Sequence, residues 1–450
     1  MLVPSDYADR SVAIVGCGYV GLTLCAAMAD VGFDVTGVEI REDVLAGLQR
    51  GIPQFHEPGL QAMLERLVGA GRLRFVRRLA EAAPARVHIV TVGTPLDANG
   101  RARLDMVESV AREVAELLRP GDMVVMRSTL KLGTTRNVAI PILDTARVPY
   151  DIAFCPERTI EGLALAELRV LPQIVAGQSL AATVRASQLF QFLTPTTVRV
   201  SSIEAAEMIK LVDNAQRDVH FAFANEIARM CDVAGISAAE IIKSGKLGYP
   251  RTNLPMPGPV GGPCLSKDPY ILAESFEAMQ VTPEIVVAAR RINERQAAEA
   301  AANMRRAAAR LPGFPANPTI AFLGLAFKGR PATDDLRGTT ARGIVDAVAA
   351  AFPGATVRGW DEVVPSREIA AFGLTPAASL ADAFAGAHLV AICNNHPAFE
   401  AMPLEFLLAT MADPGFVFDF WNNFDPRRLT LPDGRAYVPL GGFGVAAGFA

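Results

Sequence analysis

Residues 259–268 read PVGGPCLSKD, which sets the Cys264 thiol behind a glycine pair and ahead of a cation, Lys267, and a carboxylate, Asp268. Glycines let a ligand approach the backbone, and a thiol near positive charge is the kind that ionises and attacks. The alternative is a buried structural thiol, the common fate of cysteine in a folded chain. Residues 16–21 read GCGYVG, a glycine loop of the type that binds dinucleotides. A reactive thiol together with such a loop suggests more than one hydride transfer: an oxidation that passes through a covalent thioester.

The elements that must position this chemistry begin with an apolar strand at 11–15, the loop Gly16-Cys-Gly18-Tyr19-Val20-Gly21, a helix over 22–31 and a strand over 34–38 that closes on Glu39. Gly16 and Gly18 let the chain turn and approach a pyrophosphate, whose charge suits the amide-rich start of the helix. Glu39 can accept both adenine-ribose hydroxyls and repels a 2′-phosphate, which favours NAD over NADP. Arg41 nearby pulls the other way and joins the cofactor set. Further strands over 88–92, 122–126 and 152–155 end in Gly93-Thr94-Pro95, Arg127-Ser128-Thr129 and Pro156-Glu157-Arg158. Open parallel sheets bind ligands at these carboxyl ends. Thr94, Ser128 and Thr129 can serve as ligand contacts, as helix caps, or as both.

From Ser201 the texture becomes helical. Residues 204–233 carry an apolar stripe, a second long helix is expected over 283–310, and a Pro/Gly-rich loop at 249–263 lies between them. A third region opens at Thr319 with IAFLGLAFK at 320–328, a second strand and glycine turn. Its loop carries Lys328 and Arg337, cations suited to a nucleotide diphosphate. The expected fold class is therefore α/β: two Rossmann-like doubly wound domains joined by a helical middle domain with a long connecting helix. The expected limits are 1–200, 201–300 and 301–450, and the glycine-rich tail 441–450 is expected to be poorly ordered.

Composition narrows the classes. A chain of 450 residues, 51% hydrophobic and 20% charged, calls for two or three domains. No apolar run reaches the length of a membrane span, and Asp6 and Asp9 ahead of the first strand argue against a secretory signal. The net charge of −4 gives no nucleic-acid footprint, and the basic run 72–78 reads as a solvated loop and strand edge. Six cysteines without metal-type spacing fit reduced thiols of a cytoplasmic protein. The five histidines are equally scattered, so no metal site is expected.

In this order and at these spacings the pieces resemble the UDP-glucose/GDP-mannose dehydrogenase family over nearly the whole chain. The motifs are Gly16-x-Gly-Tyr-Val-Gly21, Glu57-Pro-Gly-Leu60, Val92-Gly-Thr-Pro95, Ser128-Thr129 with Gly133-Thr134, Pro156-Glu157, and Glu207-x-x-Lys210-x-x-x-Asn214-x-x-Arg217. Asn225-Glu226, Gly261-Gly262-x-Cys264-x-x-Lys267-Asp268 and Gly324-Leu-Ala-Phe-Lys328 complete them. The resemblance implies a four-electron oxidation of a nucleotide sugar's primary alcohol to a uronate with two NAD molecules in succession. It implies Cys264 as nucleophile, Asp268 as base through a water, Lys210 and Asn214 as oxyanion donors, and Glu157 with Thr129 at the hydrolytic water. The cofactor set becomes Gly16, Gly18, Tyr19, Val20, Gly21, Glu39, Arg41, Thr94, Ser128 and Arg337. The substrate set is Arg158, Arg217, Arg251, Gly261 and Lys328.

The reading Cys155-Pro-Glu-Arg158-Thr159, in place of the hexose branches' Asn-Pro-Glu-Phe-Leu, is similar to the branch that oxidises UDP-N-acetylhexosamines, UDP-N-acetylmannosamine above all. UDP-N-acetylglucosamine and UDP-glucose remain alternatives. A homodimer through the middle-domain helices is implied, with Arg251 reaching the neighbouring subunit's substrate. His220 stands where that branch commonly has asparagine, with no physical account of the swap. Two-electron hydroxyacid dehydrogenases would not need Cys264, and a non-catalytic nucleotide-sugar-binding protein would not need Glu157, Lys210, Asn214, Cys264 and Asp268 together.

Overall fold

Short runs of apolar residues, uniform in character instead of alternating, form strands that are buried on both faces. A computed structural model describes residues 2–82 and 84–449, and the chain divides into two units, Met1–Asn214 with Tyr270–Thr282 and Ala215–Pro269 with Pro283–Ala450. Among the described residues no helix is long and apolar enough to cross a membrane.

In the first unit β1 (Ser11–Val15), β2 (Asp34–Val38), β3 (Leu73–Val76), β4 (Val87–Val90), β5 (Asp122–Met126), β6 (Tyr150–Phe154), β7 (Gln173–Gly177) and β8 (Thr197–Arg199) form one sheet. The order is β3-β2-β1-β4-β5-β6-β7-β8. Neighbouring strands are parallel except β6 and β7. Val15 pairs with Val38 on one side and Val90 on the other, so Gly16, Glu39 and Thr91 leave the sheet together at its carboxyl edge. The basic stretch is edge strand β3 with Arg74 exposed, a strand edge as expected. Residues 270–282 return to this unit: Glu274 accepts the Ala102 amide at 2.8 Å and the Lys131 ammonium at 3.1 Å.

In the second unit β9 (Thr319–Leu323), β10 (Thr356–Trp360), β11 (Thr375–Pro376), β12 (Leu389–Ile392), β13 (Gly415–Asp419) and β14 (Arg435–Pro439) form a parallel sheet in the order β11-β10-β9-β12-β13-β14. The helix Ile203–Ala234 is as long as its apolar stripe suggests. The single helix expected over 283–310 is instead two, Glu284–Glu294 and Gln296–Ala308, parted where Arg295 has φ −79° and ψ −6°. The break follows Asn293, whose amide is drawn inward to the Asp218 carbonyl at 3.0 Å. Nor is the tail loose. Phe443 is buried under the Arg306 guanidinium, 3.9 Å from its ring, and its amide donates to Asp232 at 2.8 Å. The aromatic side chains override the glycine content that suggested disorder.

His88 on β4 is 3% exposed, and neither ring nitrogen has a hydrogen-bond partner among the described residues. Burial pushes its pKa down to about 4, with Asp122 opposing and Arg119 assisting. The unfolded chain binds this proton from about pH 6.5 downward and the folded chain resists until about pH 4, so stability is intact above pH 6.5 and falls across that window. His88→Leu is expected to remove up to about 3 kcal/mol of that acid loss, read by denaturant unfolding at pH 7 and pH 4.5.

Candidate active site

The glycine loop after β1 depends on close approach. A Cβ on Gly21 would meet the Gly16 carbonyl oxygen at 1.9 Å and Thr91 Oγ1 at 2.6 Å, and Gly16 has φ +95°. Gly18 is different: a Cβ there would meet nothing within 4 Å. Gly18 also caps the helix Tyr19–Val31, whose start has no side-chain cap and no acid in its first turn. Uncapped amides and the positive end of the helix dipole therefore face open space, a cradle for a pyrophosphate. Glu39, 6% exposed, sits at the end of β2 and accepts the Arg41 amide at 3.0 Å, with Arg41 Nε 3.6 Å from the same oxygen. These residues fit NAD. Val20 is partly buried at the start of the helix.

Tyr19 does something the sequence did not suggest. Its hydroxyl hydrogen-bonds the buried Glu57 carboxylate, and the Gly162 amide donates to both oxygens at 2.7 Å. Burial first, then Glu57, raises the phenol pKa. The hydroxyl is thus committed to linking the glycine loop, the Glu57-Pro-Gly turn and the loop after β6.

Glu157, on that last loop, is 6% exposed. Its Oε1 accepts the Arg158 and Thr159 amides at 2.7 and 2.8 Å, and its Oε2 faces Arg127 Nη2 at 2.5 Å. Burial works to raise its pKa, but Arg127, the Thr159 amide and Lys210 outweigh it, and the net direction is down. Arg127 is a site residue that the sequence reading passed over. Its guanidinium also donates to the Cys155 carbonyl at 2.8 Å and Gln173 at 2.9 Å, and lies 5.0 Å from the Phe190 ring centroid. The available signal was a cation directly continuing the apolar strand β5, which calls for a buried anion on its neighbour β6.

The neighbouring hydroxyls cap no helix. Thr94 Oγ1 donates to the Thr129 carbonyl at 2.6 Å and Ser128 Oγ to the Val90 carbonyl at 3.4 Å, tying the loops after β4 and β5 together. Thr129 stays partly exposed. Arg158 Nη2 donates to the Pro172 carbonyl at 2.6 Å, and Nη1 lies 3.6 Å from Asp213. Lys210, half-buried, and Asn214, buried, share the helix Ile203–Ala234 one turn apart within the first unit.

Cys264 belongs to the second unit and is the exposed one of six free cysteines, the other five being buried. It sits in a single helical turn, Gly262–Leu265. The glycines before it admit neighbouring chain: a Cβ on Gly261 would meet the Gly338 carbonyl oxygen at 2.6 Å, and one on Gly262 the Phe327 ring at 2.3 Å. The side-chain direction of Gly261 is therefore filled by protein. The Gly262 amide donates to Gly338 at 2.7 Å. Asp268, fully buried, pairs with Lys267 at 2.7 Å.

The second glycine turn, at Gly324, departs from the first. Its acid, Asp361 at the end of β10, is spent on the Leu325 and Ala326 amides of its own turn at 2.6 and 3.2 Å. The next helix begins at Thr340, and its N-cap Thr339 donates its hydroxyl to the Leu325 carbonyl of this turn at 2.7 Å. Positive charge comes from Lys328, 5.4 Å from the Phe327 ring, and Arg337, which bonds Asp335. Arg337 belongs to the second unit and the glycine loop 16–21 to the first. Arg217 and His220 are exposed on their helix. Arg251 stacks on Tyr249 at 4.5 Å and is exposed.

Removing one member of the Arg127–Glu157 pair leaves an uncompensated buried charge. Arg127→Met is expected to cost about 3–5 kcal/mol, and the double variant Arg127→Met/Glu157→Met to recover most of it, measured by denaturant unfolding at pH 7.

Three family models cover the chain: the NAD binding domain of the UDP-glucose/GDP-mannose dehydrogenase family over residues 10–194, its central domain over 204–295 and its UDP binding domain over 321–426. The UDP-N-acetyl-D-mannosamine dehydrogenase of Pyrococcus horikoshii is 32% identical over 409 residues, 89% of this chain and 93% of that protein. The NDP-N-acetyl-D-galactosaminuronic acid dehydrogenase of Ralstonia nicotianae is 31% identical over 355 residues, 76% of this chain and 81% of that one. A solved UDP-D-ManNAc dehydrogenase from Pyrococcus horikoshii matches with a TM-score of 0.86 at 30% identity, over 96% of this chain and 99% of that one. With a cradle for NAD, a second and different nucleotide-type turn and an exposed cysteine already in place, these matches mean that the chain belongs to the UDP-glucose/GDP-mannose dehydrogenase family of NAD-dependent nucleotide-sugar oxidoreductases.

Proposed function

We propose that the chain oxidises the primary alcohol of a UDP-N-acetylhexosamine, UDP-N-acetyl-D-mannosamine first, to the uronate through a thioester on Cys264. The observation that carries the thioester is the exposure of this one thiol on a turn pinned on several sides. The names of the Pyrococcus and Ralstonia relatives support an N-acetylated hexosamine, and the Ralstonia name keeps a different epimer as the second reading. UDP-glucose is a third substrate for the same panel.

NAD held by Gly16, Gly18, Gly21 and Glu39 supplies the hydride acceptor for both oxidations. Asp268, through a water, takes the alcohol proton as the first hydride leaves. The Cys264 thiolate then adds to the aldehyde, and Lys210 and Asn214 donate to the oxyanion. Loss of the second hydride leaves the thioester. Water held by Glu157 and Thr129 hydrolyses it, giving the carboxylate and returning the thiol. Ionised Glu157, its orientation fixed by its amide and guanidinium partners, is assigned to orienting the water by accepting its hydrogen bond. Lys328 and Arg217 are assigned to the UDP diphosphate and sugar, and Arg158 holds the Glu157 loop beside the N-acetyl group.

A homodimer fits the second unit, where Phe223, Met230 and Val233 are 54%, 54% and 85% exposed along one helix and Leu247 is 86% exposed. Such an apolar face is what an isologous interface covers, and exposed Arg251 would reach the partner's substrate. The segments 1–200, 201–300 and 301–450 are assigned to NAD binding, dimerisation and UDP-sugar binding. Free cysteines throughout fit a cytoplasmic setting.

Incubation with UDP-N-acetylmannosamine and NAD is expected to give two NADH per sugar and a uronate identified by mass. Robust turnover of UDP-glucose alone in a panel of UDP-sugars would refute the substrate assignment. Cys264→Ala is expected to lower uronate formation by about a thousandfold or more with NAD binding unchanged; undiminished uronate yield would refute the thioester route.

A further inference from the structure

Arg290, 4% exposed, carries its charge into the interior of the second unit. Its Nη1 donates to Asp218 Oδ1 at 2.9 Å and to the Leu265 carbonyl at 2.6 Å. Leu265 is the residue after Cys264. Asp218, fully buried, also accepts the Asn293 amide at 2.9 Å. Asn293 in turn accepts from Asn225 at 3.0 Å, and Asn225 grips Gly258 from both sides, accepting its amide at 2.9 Å and donating to its carbonyl at 3.0 Å. One buried polar chain thus ties down both ends of the 258–265 loop from the helices Ile203–Ala234 and Glu284–Glu294.

A guanidinium is a rigid fork, and its bonds to carboxylate and carbonyl are stronger and more directional than neutral ones. The Leu265 carbonyl closes the one-turn helix that presents Cys264, so fixing it fixes the thiol's direction. We propose that Arg290, oriented by Asp218, is a positioning residue for the Cys264 nucleophile. This rests on the assignment of Cys264 as nucleophile. Arg290 meets the chain beside the thiol at the Leu265 carbonyl. Its effect must therefore pass through the turn, and a displacement of about 1 Å at a reacting centre is enough to cost about a hundredfold in rate.

The test compares Arg290→Met, Arg290→Lys and the isosteric Asp218→Asn in the full chain. Three quantities are read: kcat and KM for NAD, the share of sugar released as aldehyde instead of uronate, and the iodoacetamide alkylation rate of Cys264 located by mass. Arg290→Met and Asp218→Asn are expected to lower kcat about tenfold to a hundredfold with KM for NAD little changed. More sugar should escape as aldehyde, because addition of the thiolate is the step impaired, and the alkylation rate should shift severalfold. Arg290→Lys should restore part of each. Folded variants with the parent's aldehyde share and alkylation rate overturn the proposal, as does a kcat loss that only tracks the unfolded fraction. Should Arg290→Met fail to fold, the other two variants carry the same readouts. If Cys264→Ala still makes uronate, the nucleophile assignment falls, while the alkylation rate still reports whether Arg290 sets the thiol's position.

Discussion

Taking an ionised carboxylate out of water costs several kcal/mol unless cations or amides replace the solvent, and the manner of replacement divides this protein's buried acids by role. Glu157 is surrounded on three sides, by Arg127 and two amides, and stays charged. Asp361 is absorbed by its own glycine turn. Asp218 is pushed up to about 6 by burial, with Arg290 and Asn293 pulling it down and Glu294 adding to the rise; it orients a cation. Among the described residues Glu39 meets the Arg41 side chain and its amide, which leaves carboxylate capacity for ribose hydroxyls. A buried acid that still has lone pairs to offer is the one positioned for a ligand.

That distinction also separates the two Rossmann-like halves. Both present a strand, a glycine turn and an acid at the end of the adjoining strand. In the first half the helix starts at once, at Tyr19, and its dipole and amides do the anion's share of the binding. In the second half the helix starts at Thr340, further along the chain, and its N-cap Thr339 bonds back to the Leu325 carbonyl of the turn. The same topology thereby serves two domains of different type, matched to NAD binding and to UDP binding.

Most of the frame was legible in the sequence because it depends on local rules: apolar runs of five for buried strands, a glycine loop before a helix, an acid closing the next strand. The site was less legible where a residue's task depends on what lies opposite. Arg127 reads as a loop cation until β6 is seen to bring Glu157 beside it. Tyr19 reads as a cofactor contact, and nothing local reveals that its hydroxyl meets Glu57. Gly261 and Gly262 read as backbone that a ligand can approach, and nothing local reveals that Gly338 and Phe327 lie where their side chains would be. The break at Arg295 and the packed tail have the same origin, since Asn293 and Phe443 answer to partners tens of residues away. Helix period and glycine content carry no information about them.

The return of residues 270–282 to the first unit sets an order on biosynthesis. Glu274 receives the Ala102 amide and the Lys131 ammonium, yet it is translated more than a hundred residues after either. Domains emerging from the ribosome fold amino-terminal first, but this one includes a segment encoded beyond the start of its neighbour. During that interval the loops after β4 and β5 lack the carboxylate that later ties them down. The first unit is therefore complete only once residues 270–282, which follow the turn carrying Cys264, have been made.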